Sequence, residues 1–252
     1  MGSYNNVVER LCGPDSDPRL TEDTIRCIEH SHGTSVVLVG VVHDHPASVF
    51  RAAHAVETLT PSVVALELPP LAMSLFRAYA RDKRVPPHLG GEMSAALQVS
   101  GDARTVGIDG PNLAYLRRLA RDIWTERLSS EDRNTVVRDV VSSLGHALAC
   151  RVGGFVGRVT QRPPRLYRHL EYDVTLLDTP ERQAEDETNH VVQRQSLLQA
   201  IEVPTPIRRI DTAREATMVQ TLRALSAEGD VVAIVGIEHL DELVHGLGDT
   251  RA

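Results

Sequence analysis

Four runs of apolar, largely β-branched residues alternate along the chain with segments of helical periodicity. The runs cover residues 36–42, 62–68, 105–109 and 231–237. Each is bounded by Gly, Pro or polar residues, which is typical of strands buried on both faces. Between the first two runs, residues 47–59 place apolar side chains at helical spacing after Pro46, a residue that favours a helix start. This order predicts a βαβ unit whose strands are parallel and adjacent or nearly so.

The whole pattern predicts an α/β domain with a mixed, mostly parallel central sheet flanked by helices. Further helical segments are predicted at residues 71–84, 92–97, 113–128 and 213–229. Residues 126–205 carry helical periodicity without a strand signal, which indicates a helical insertion before the last core strand. We expect the domain to span residues 34–241. Residues 1–33 form an N-terminal lead-in with a short helix over 21–33, and residues 242–252 form a C-terminal tail.

Composition limits the classes of partner. The 252 residues carry a formal net charge of -7, with 27 basic and 34 acidic side chains, which argues against nucleic acid as a partner. Lys83 is the only lysine and lies in the polar run RDKR, so lysine-nucleophile chemistry is not expected. The sequence also lacks GxGxxG, GxxxxGK[ST] and GxSxG, the usual marks of dinucleotide, P-loop and serine-hydrolase sites.

The compartment is predicted from the cysteines and from hydropathy. Cys12, Cys27 and Cys150 form no CxxC pair, which indicates neither a disulfide framework nor a thiolate zinc site, so a reducing cytoplasm is expected. No signal peptide is recognised, and no run approaches the about 18 apolar residues that span a bilayer, so no integral membrane segment is expected. The apolar stretch 145–159 is interpreted as core or homo-oligomer packing, with contact at a membrane surface as the alternative.

Four polar residues stand at the carboxyl ends of the predicted strands: His43, Glu67, Asp109 and His239. Ligands bind in the crevice at this edge of open parallel sheets, so we expect these side chains to converge. Two imidazoles and a carboxylate are sufficient for a catalytic divalent metal site that keeps positions open for water and substrate. The candidate metal ligands are therefore His43, Glu67 and His239.

Each candidate also has a structural interpretation. A strand-end histidine is, taken singly, more often a hydrogen-bonded structural residue, and Glu67 could form a buried salt bridge with an arginine. Asp109 before Gly is ordinary turn chemistry. His45 forms an HxH pair with His43 but is interpreted as a supporting or surface residue. Glu92 stands where a helix is predicted to begin, where the helix dipole favours a negative charge.

An ordered series of short motifs resembles the TraB/PrgY proteins, which are grouped with the Tiki metalloproteases and more distantly with erythromycin-esterase and ChaN-like folds. The motifs are GVVH at 40–43, VALEL at 64–68, GGEMSAAL at 90–97, GIDG at 107–110 followed by the Arg pair at 117–118, AREATM at 213–218 and VVAIVGIEHL at 231–240. No single motif is specific, and the case rests on their order. They cover both ends of residues 34–241.

The resemblance implies a metal-dependent hydrolase site centred on His43, Glu67 and His239, with Glu92 and Arg214 as further catalytic residues. The implied activity is hydrolysis of peptide or amide bonds with manganese, cobalt or zinc, on a peptide or small-molecule substrate. Glu67 or Glu92 would accept a proton if burial raised its pKa, and Arg214 would stabilise the developing oxyanion. We expect two departures from the family: no C-terminal membrane region, which many members carry, and Glu238 before the second histidine, where a small residue is common.

Two other functions remain open from the sequence. The domain could be a non-catalytic module that captures a small ligand or peptide in the same crevice, or an esterase-like hydrolase. Metal binding separates an enzyme of the first kind from the module, and a panel of ester and peptide substrates separates the two hydrolases.

Overall fold

A five-stranded sheet forms the centre of the protein. The computed structural model describes residues 7, 9–13, 16–30, 33–110, 115–117, 121, 130–166, 170–200 and 205–248. The strands are β1 (Ile25–Glu29), β2 (Ser35–Val41), β3 (Val63–Leu66), β4 (Arg104–Gly107) and β5 (Val231–Gly236). The helices are α1 (Pro46–Leu59), α2 (Met73–Tyr79), α3 (Gly91–Gln98), α4 (Ser130–Thr160), α5 (Pro180–Ala200), α6 (Thr205–Ser226) and α7 (Leu240–Gly248).

The strand order in the sheet is β1-β2-β5-β3-β4. β1 pairs with β2 in antiparallel fashion, and the other three pairs are parallel. The prediction of an α/β fold with a mixed, mostly parallel sheet is confirmed. β2 and β3 belong to one βαβ unit but are separated by β5, the strand that lies last along the chain. Four parallel strands therefore end at one edge.

Helices cover both faces of the sheet because its central strands are apolar on both faces. All residues of β2, β3 and β5 are buried. On one face, Val37, Val64 and Ile234 pack with α1, α2 and α3, and on the other face the alternate strand positions pack with α6 and α7. The result is a three-layer helix, sheet, helix arrangement.

The segment between β4 and β5 is helical, as predicted. Its described residues form α4, α5 and α6 and contain no strand. The helix predicted over 113–128 lies largely outside the described residues, although residues 115–117 and 121 are helical. Pro46 occupies the first turn of α1, and the helix predicted near Glu92 is α3.

Two terminal segments differ from the sequence prediction. The prediction of a helix over residues 21–33 is wrong, because Ile25–Glu29 form the strand β1. Ile25 and Cys27 are buried at alternate positions, and the strand covers the edge of β2. The segment expected to be a tail contains α7, whose apolar residues recur at helical spacing and are buried against the sheet side of the domain. In both segments, contacts with the rest of the domain determine the secondary structure that forms.

Candidate active site

The four strand-end residues chosen from the sequence lie at one edge of the sheet. His43 follows β2, Glu67 follows β3, Asp109 follows β4 and His239 follows β5. The register places Val41 beside Gly236 and Leu66 beside Ile234, so the parallel strands end at similar levels. Glu67, Asp109 and His239 are buried, whereas the side chain of His43 is 37% exposed. The edge is the crevice that the sheet topology predicts for a ligand.

Glu67 contacts three different groups. Its Oε1 accepts a hydrogen bond from Arg214 Nη2 at 2.8 Å and lies 3.4 Å from His239 Nε2. The Gly236 amide donates to Oε2. Burial acts to raise the pKa of Glu67, but the hydrogen bond and charge of His239, with the charge of Arg214, lower it to about 2. The condition under which Glu67 would accept a proton, a pKa raised by burial, is therefore not met, and the carboxylate is ionised at neutral pH.

Arg214 joins Glu67 to Asp109. Extending from α6, it donates from Nε to Asp109 Oδ1 at 3.0 Å and from Nη2 to Asp109 Oδ2 at 2.9 Å. Burial acts to lower the pKa of Arg214, but the carboxylates outweigh it and raise the pKa above its usual range. Asp109 also accepts from the Gly110 amide, which is the turn contact that the sequence suggested. Arg214 is therefore a fixed cation between two buried carboxylates.

His239 is held from two sides. It ends the 3-10 turn Ile237–His239 after β5, and its Nδ1 donates to Glu215 Oε1 at 2.8 Å, while Nε2 faces Glu67. Burial acts to lower the pKa of His239, but the hydrogen bonds to Glu215 and Glu67 outweigh it and raise the pKa to about 10. Glu215, one residue after Arg214 in the AREATM segment, was not chosen from the sequence.

His43 has an equivalent carboxylate partner. Its Nδ1 donates to Glu92 Oε1 at 2.7 Å, and the amide of Asp44 donates to Glu92 Oε2 at 2.9 Å. The hydrogen bond to Glu92 raises the pKa of His43 to about 9 against the opposite effect of burial, and the charges of Glu67 and Glu238 add to it. Glu92 lies in the first turn of α3 and is buried. Both of its oxygens are engaged.

A left-handed turn separates the two histidines of the HxH pair. Asp44 has a φ of 62°, a conformation that aspartate tolerates better than most residues, and its Oδ2 accepts from the Leu170 amide. His45 is fully buried, and its Nδ1 accepts from the Ala47 amide at the start of α1 while Nε2 donates to Asp186. Burial lowers the pKa of His45. His45 is therefore a buried helix cap, and its interpretation as a surface residue is wrong.

The structure thus brings the predicted site residues together in two groups. One contains Glu67, Asp109, Arg214 and His239, and the other contains His43 and Glu92. The charge of Glu67 acts on His43, so the groups lie within electrostatic reach. Among the described residues, no three or more His, Cys, Asp or Glu side chains are already arranged around one point as metal ligands.

Glu238, like Glu215, is a residue at this edge that was not among the site residues predicted from the sequence. It was noted as a departure from the family motif, and in the structure it is partly exposed and pairs with Arg194 of α5 at 2.9 Å. A Cβ at Gly236 would meet the carboxylates of both Glu238 and Glu67, at 2.9 and 3.2 Å. The glycine therefore leaves room for two carboxylates beside the end of β5.

Two cavities adjoin the ends of this edge. A cavity of about 620 Å³ borders the His43 end and is lined by Asp44, Gly91 and Tyr172 among others. The Tyr172 hydroxyl donates a hydrogen bond to the His43 backbone carbonyl at 2.6 Å, which links the lining of this cavity to the site. A second cavity, of about 610 Å³, is lined by Asp109 and Arg214 at the other end.

Comparison with known proteins adds no relative: no family model, no curated protein and no solved structure matches this chain. The resemblance to the TraB/PrgY proteins therefore rests on the ordered motifs alone.

Proposed function

We propose that the chain is a metal-dependent hydrolase of peptide or amide bonds, with its active site at the carboxyl edge of β2, β5 and β3. The observation that carries the proposal is the pair of imidazoles, each held at Nδ1 by a carboxylate: His43 by Glu92 and His239 by Glu215. Metal-binding histidines usually donate a hydrogen bond from their second ring nitrogen to a carboxylate, a backbone carbonyl or water. A carboxylate acceptor fixes the ring and makes the ligand more basic.

A donor set of two imidazoles and one carboxylate is compatible with manganese, cobalt or zinc. His43 and His239 would bind through Nε2, and Glu67 would bind as a carboxylate that is already ionised at neutral pH. When bound, the metal supplies Lewis-acid polarisation of a carbonyl and a lowered pKa for its water. The imidazoles must lose their second proton first, so binding competes with protonation. The three ligands must also draw together, since they are not yet gathered around one point.

The contacts change the roles expected for two residues. Glu92, with both oxygens engaged, would position His43 and would not act as a general base. Arg214 donates three hydrogen bonds to Asp109 and Glu67, so it would keep Glu67 ionised and in position. Because these donors are already used, fewer N–H groups of Arg214 are available to stabilise an oxyanion. Both are positioning residues in this proposal.

Glu238 would accept the proton from the attacking water. Its carboxylate lies near Glu67 beside Gly236, its charge acts on His43, and it is partly exposed. Proton transfer requires a base within hydrogen-bond reach of the water in the substrate complex. The hydrogen bond from Arg194 of α5 to Glu238 restrains this carboxylate.

The two cavities support a substrate that extends in both directions from the reacting bond. Each is within the usual range for binding sites, and they border opposite ends of the strand edge. A peptide lying along the edge would place residues in both cavities and its scissile bond near His239. This arrangement favours a peptide over a compact ester substrate.

The test measures metal content and hydrolysis together. After removal of metal with a chelator and reconstitution, we expect the wild-type protein to hold a divalent metal by elemental analysis and to cleave chromogenic peptides. His43→Ala and His239→Ala should each lose metal and activity, because each removes a ligand. His245→Ala, on the exposed face of α7, is the matched control and should retain both.

Unchanged metal content in both His43→Ala and His239→Ala would overturn the metal site. Cleavage of esters without cleavage of peptides would assign the chain to the esterase-like alternative. Tight peptide binding by a wild-type protein that takes up no divalent metal would instead indicate a binding module.

A further inference from the structure

Helix α4 carries large apolar side chains on its exposed face. Val141, Leu148, Val152, Phe155 and Val159 are each between 56% and 68% exposed. They recur at helical spacing and form one line along the helix, which we call the apolar stripe. Within the described part of the chain, the helical segment Arg133–Thr160 has the length and the apolar composition of a helix that could cross a membrane. Only 28% of its most apolar part is buried.

The opposite face of α4 is already occupied. Gly153, Gly154 and Gly157 face α2 and the residues that follow α4, and a Cβ at any of the three would meet an atom within 3.0 Å. The glycines let α4 approach α2 closely, so α4 packs against the domain through the face that carries these small residues. The apolar stripe consequently points away from the protein, where an exposed apolar patch marks an interaction site.

Charge around the stripe identifies the kind of partner. Residues 140–170 contain five arginines and no aspartate or glutamate, although the whole chain has a net charge of -7. Arg151 and Arg158 are exposed on α4 beside the stripe, and Arg162 and Arg165 are exposed in the segment that follows. A helix with an apolar line and adjacent arginines lies in the headgroup region of anionic lipid bilayers.

The same charges disfavour a second copy of the chain on this surface. A two-fold interface uses the same patch on both copies. In an antiparallel pair of α4 helices, the arginine flank of one helix would meet the arginine flank of the other. Arg151 and Arg158 would then repel their counterparts, whereas lipid phosphates would attract them.

We propose that the apolar stripe and its arginines dock the protein on an anionic membrane surface, with α4 lying in the plane of the headgroups. The apolar side chains enter the acyl boundary and the arginines contact lipid phosphates. None of the stripe residues lines either cavity of the proposed active site, so the inference is independent of the hydrolase.

Flotation of the full chain with lipid vesicles tests this surface. We expect binding to phosphatidylcholine vesicles that contain phosphatidylglycerol, weak binding to pure phosphatidylcholine, and release at high salt. Phe155→Ser should weaken binding about tenfold, because it removes a large apolar side chain. Arg151→Gln and Arg158→Gln should each weaken it about fivefold.

Two matched variants lie outside the surface. Leu177→Ser removes a side chain that is 97% exposed, and Arg182→Gln removes an exposed cation on α5. Both should bind vesicles as the wild type does. Absence of binding to the anionic vesicles, or equal losses in the control variants, would overturn the proposal. Self-association that Phe155→Ser abolishes, without vesicle binding, would overturn it in favour of a second copy.

Discussion

At the scale of single residues, the surroundings of Glu67 decide its chemistry. A carboxylate buried alone tends to hold its proton, so burial by itself would raise the pKa of Glu67. Glu67 instead faces Arg214 and His239 and accepts a backbone amide. These contacts outweigh burial, so Glu67 suits the role of an ionised ligand better than that of a proton carrier.

Glu67 should make the stability of the protein sensitive to acid. Its folded-state pKa of about 2 lies below the ordinary value of 4.5, so its stabilising contribution is present above pH 4.5 and is lost as the pH falls toward 2. The full contribution is about 3 kcal/mol. Urea unfolding of Glu67→Gln and wild type from neutral to acid pH should show the stability difference shrinking by a large part of that amount.

Glu181→Gln, an exposed change on α5, provides the baseline for this comparison. A wild-type advantage over Glu67→Gln that stays constant as the pH is lowered would contradict the assigned pKa.

The strand-end residues could be predicted from the sequence because position after a buried strand is a local property. Glu215 could not be found in this way. It adjoins Arg214 on α6, and adjacent helical residues point in different directions, so the choice between them depends on how α6 is rotated against the sheet. Arg214 contacts Glu67 and Asp109, while Glu215 contacts His239.

At the scale of elements, α4 shows how a glycine can be required by packing. A Cβ on Gly154 would meet Ser74 Oγ at 2.4 Å and the Leu75 backbone nitrogen at 2.6 Å, so α2 would have to move. Gly154→Ala should therefore lower the free energy of unfolding by about 1–3 kcal/mol. Thermal and urea unfolding would measure the change.

Gly145 supplies the matched control on the same helix. A Cβ there meets nothing within 4 Å. Gly145→Ala should raise stability by about 0.5–1 kcal/mol, because alanine has the better helix propensity. Equal effects of the two substitutions would contradict the close contact between α4 and α2.

The elements that the sequence failed to predict share a cause. The segment that forms β1 has a helical signal, but the unpaired edge of β2 offers it a ladder of hydrogen bonds. Local pattern cannot show that such an edge is available. The central strands were predicted because their apolar runs leave no polar face for another structure.

At the scale of the whole molecule, a buried ion pair attaches the inserted helix α5 to the sheet. Arg51 of α1 pairs with Glu187 of α5 and donates to the carbonyls of Gly40 and Arg19 at 2.8 and 2.7 Å. Ser48 also donates to Glu187. The insertion is thereby joined to the helix that precedes β3 and to β2 itself.

Glu187→Gln should destabilise the protein by about 3–5 kcal/mol, because it leaves the buried Arg51 cation without its carboxylate. Glu228→Gln is the comparison, since the Arg104–Glu228 pair has side chains that are 56% and 46% exposed. Its loss should cost much less than the loss of the buried pair, because solvent screens the charges of an exposed pair. Urea unfolding of both variants would rank the pairs, and a larger loss in Glu228→Gln would contradict this account.

The position of β5 has a consequence for how the protein is made. β5 pairs with both β2 and β3, yet it follows β3 by more than 160 residues along the chain. During synthesis, the two earlier strands emerge long before their common neighbour, with apolar edges that other chains can pair with. Folding of the sheet must wait for distant residues to meet, which is intrinsically slow for parallel strands. Chaperone protection during this interval would preserve yield, and truncation before β5 would leave a chain prone to aggregate.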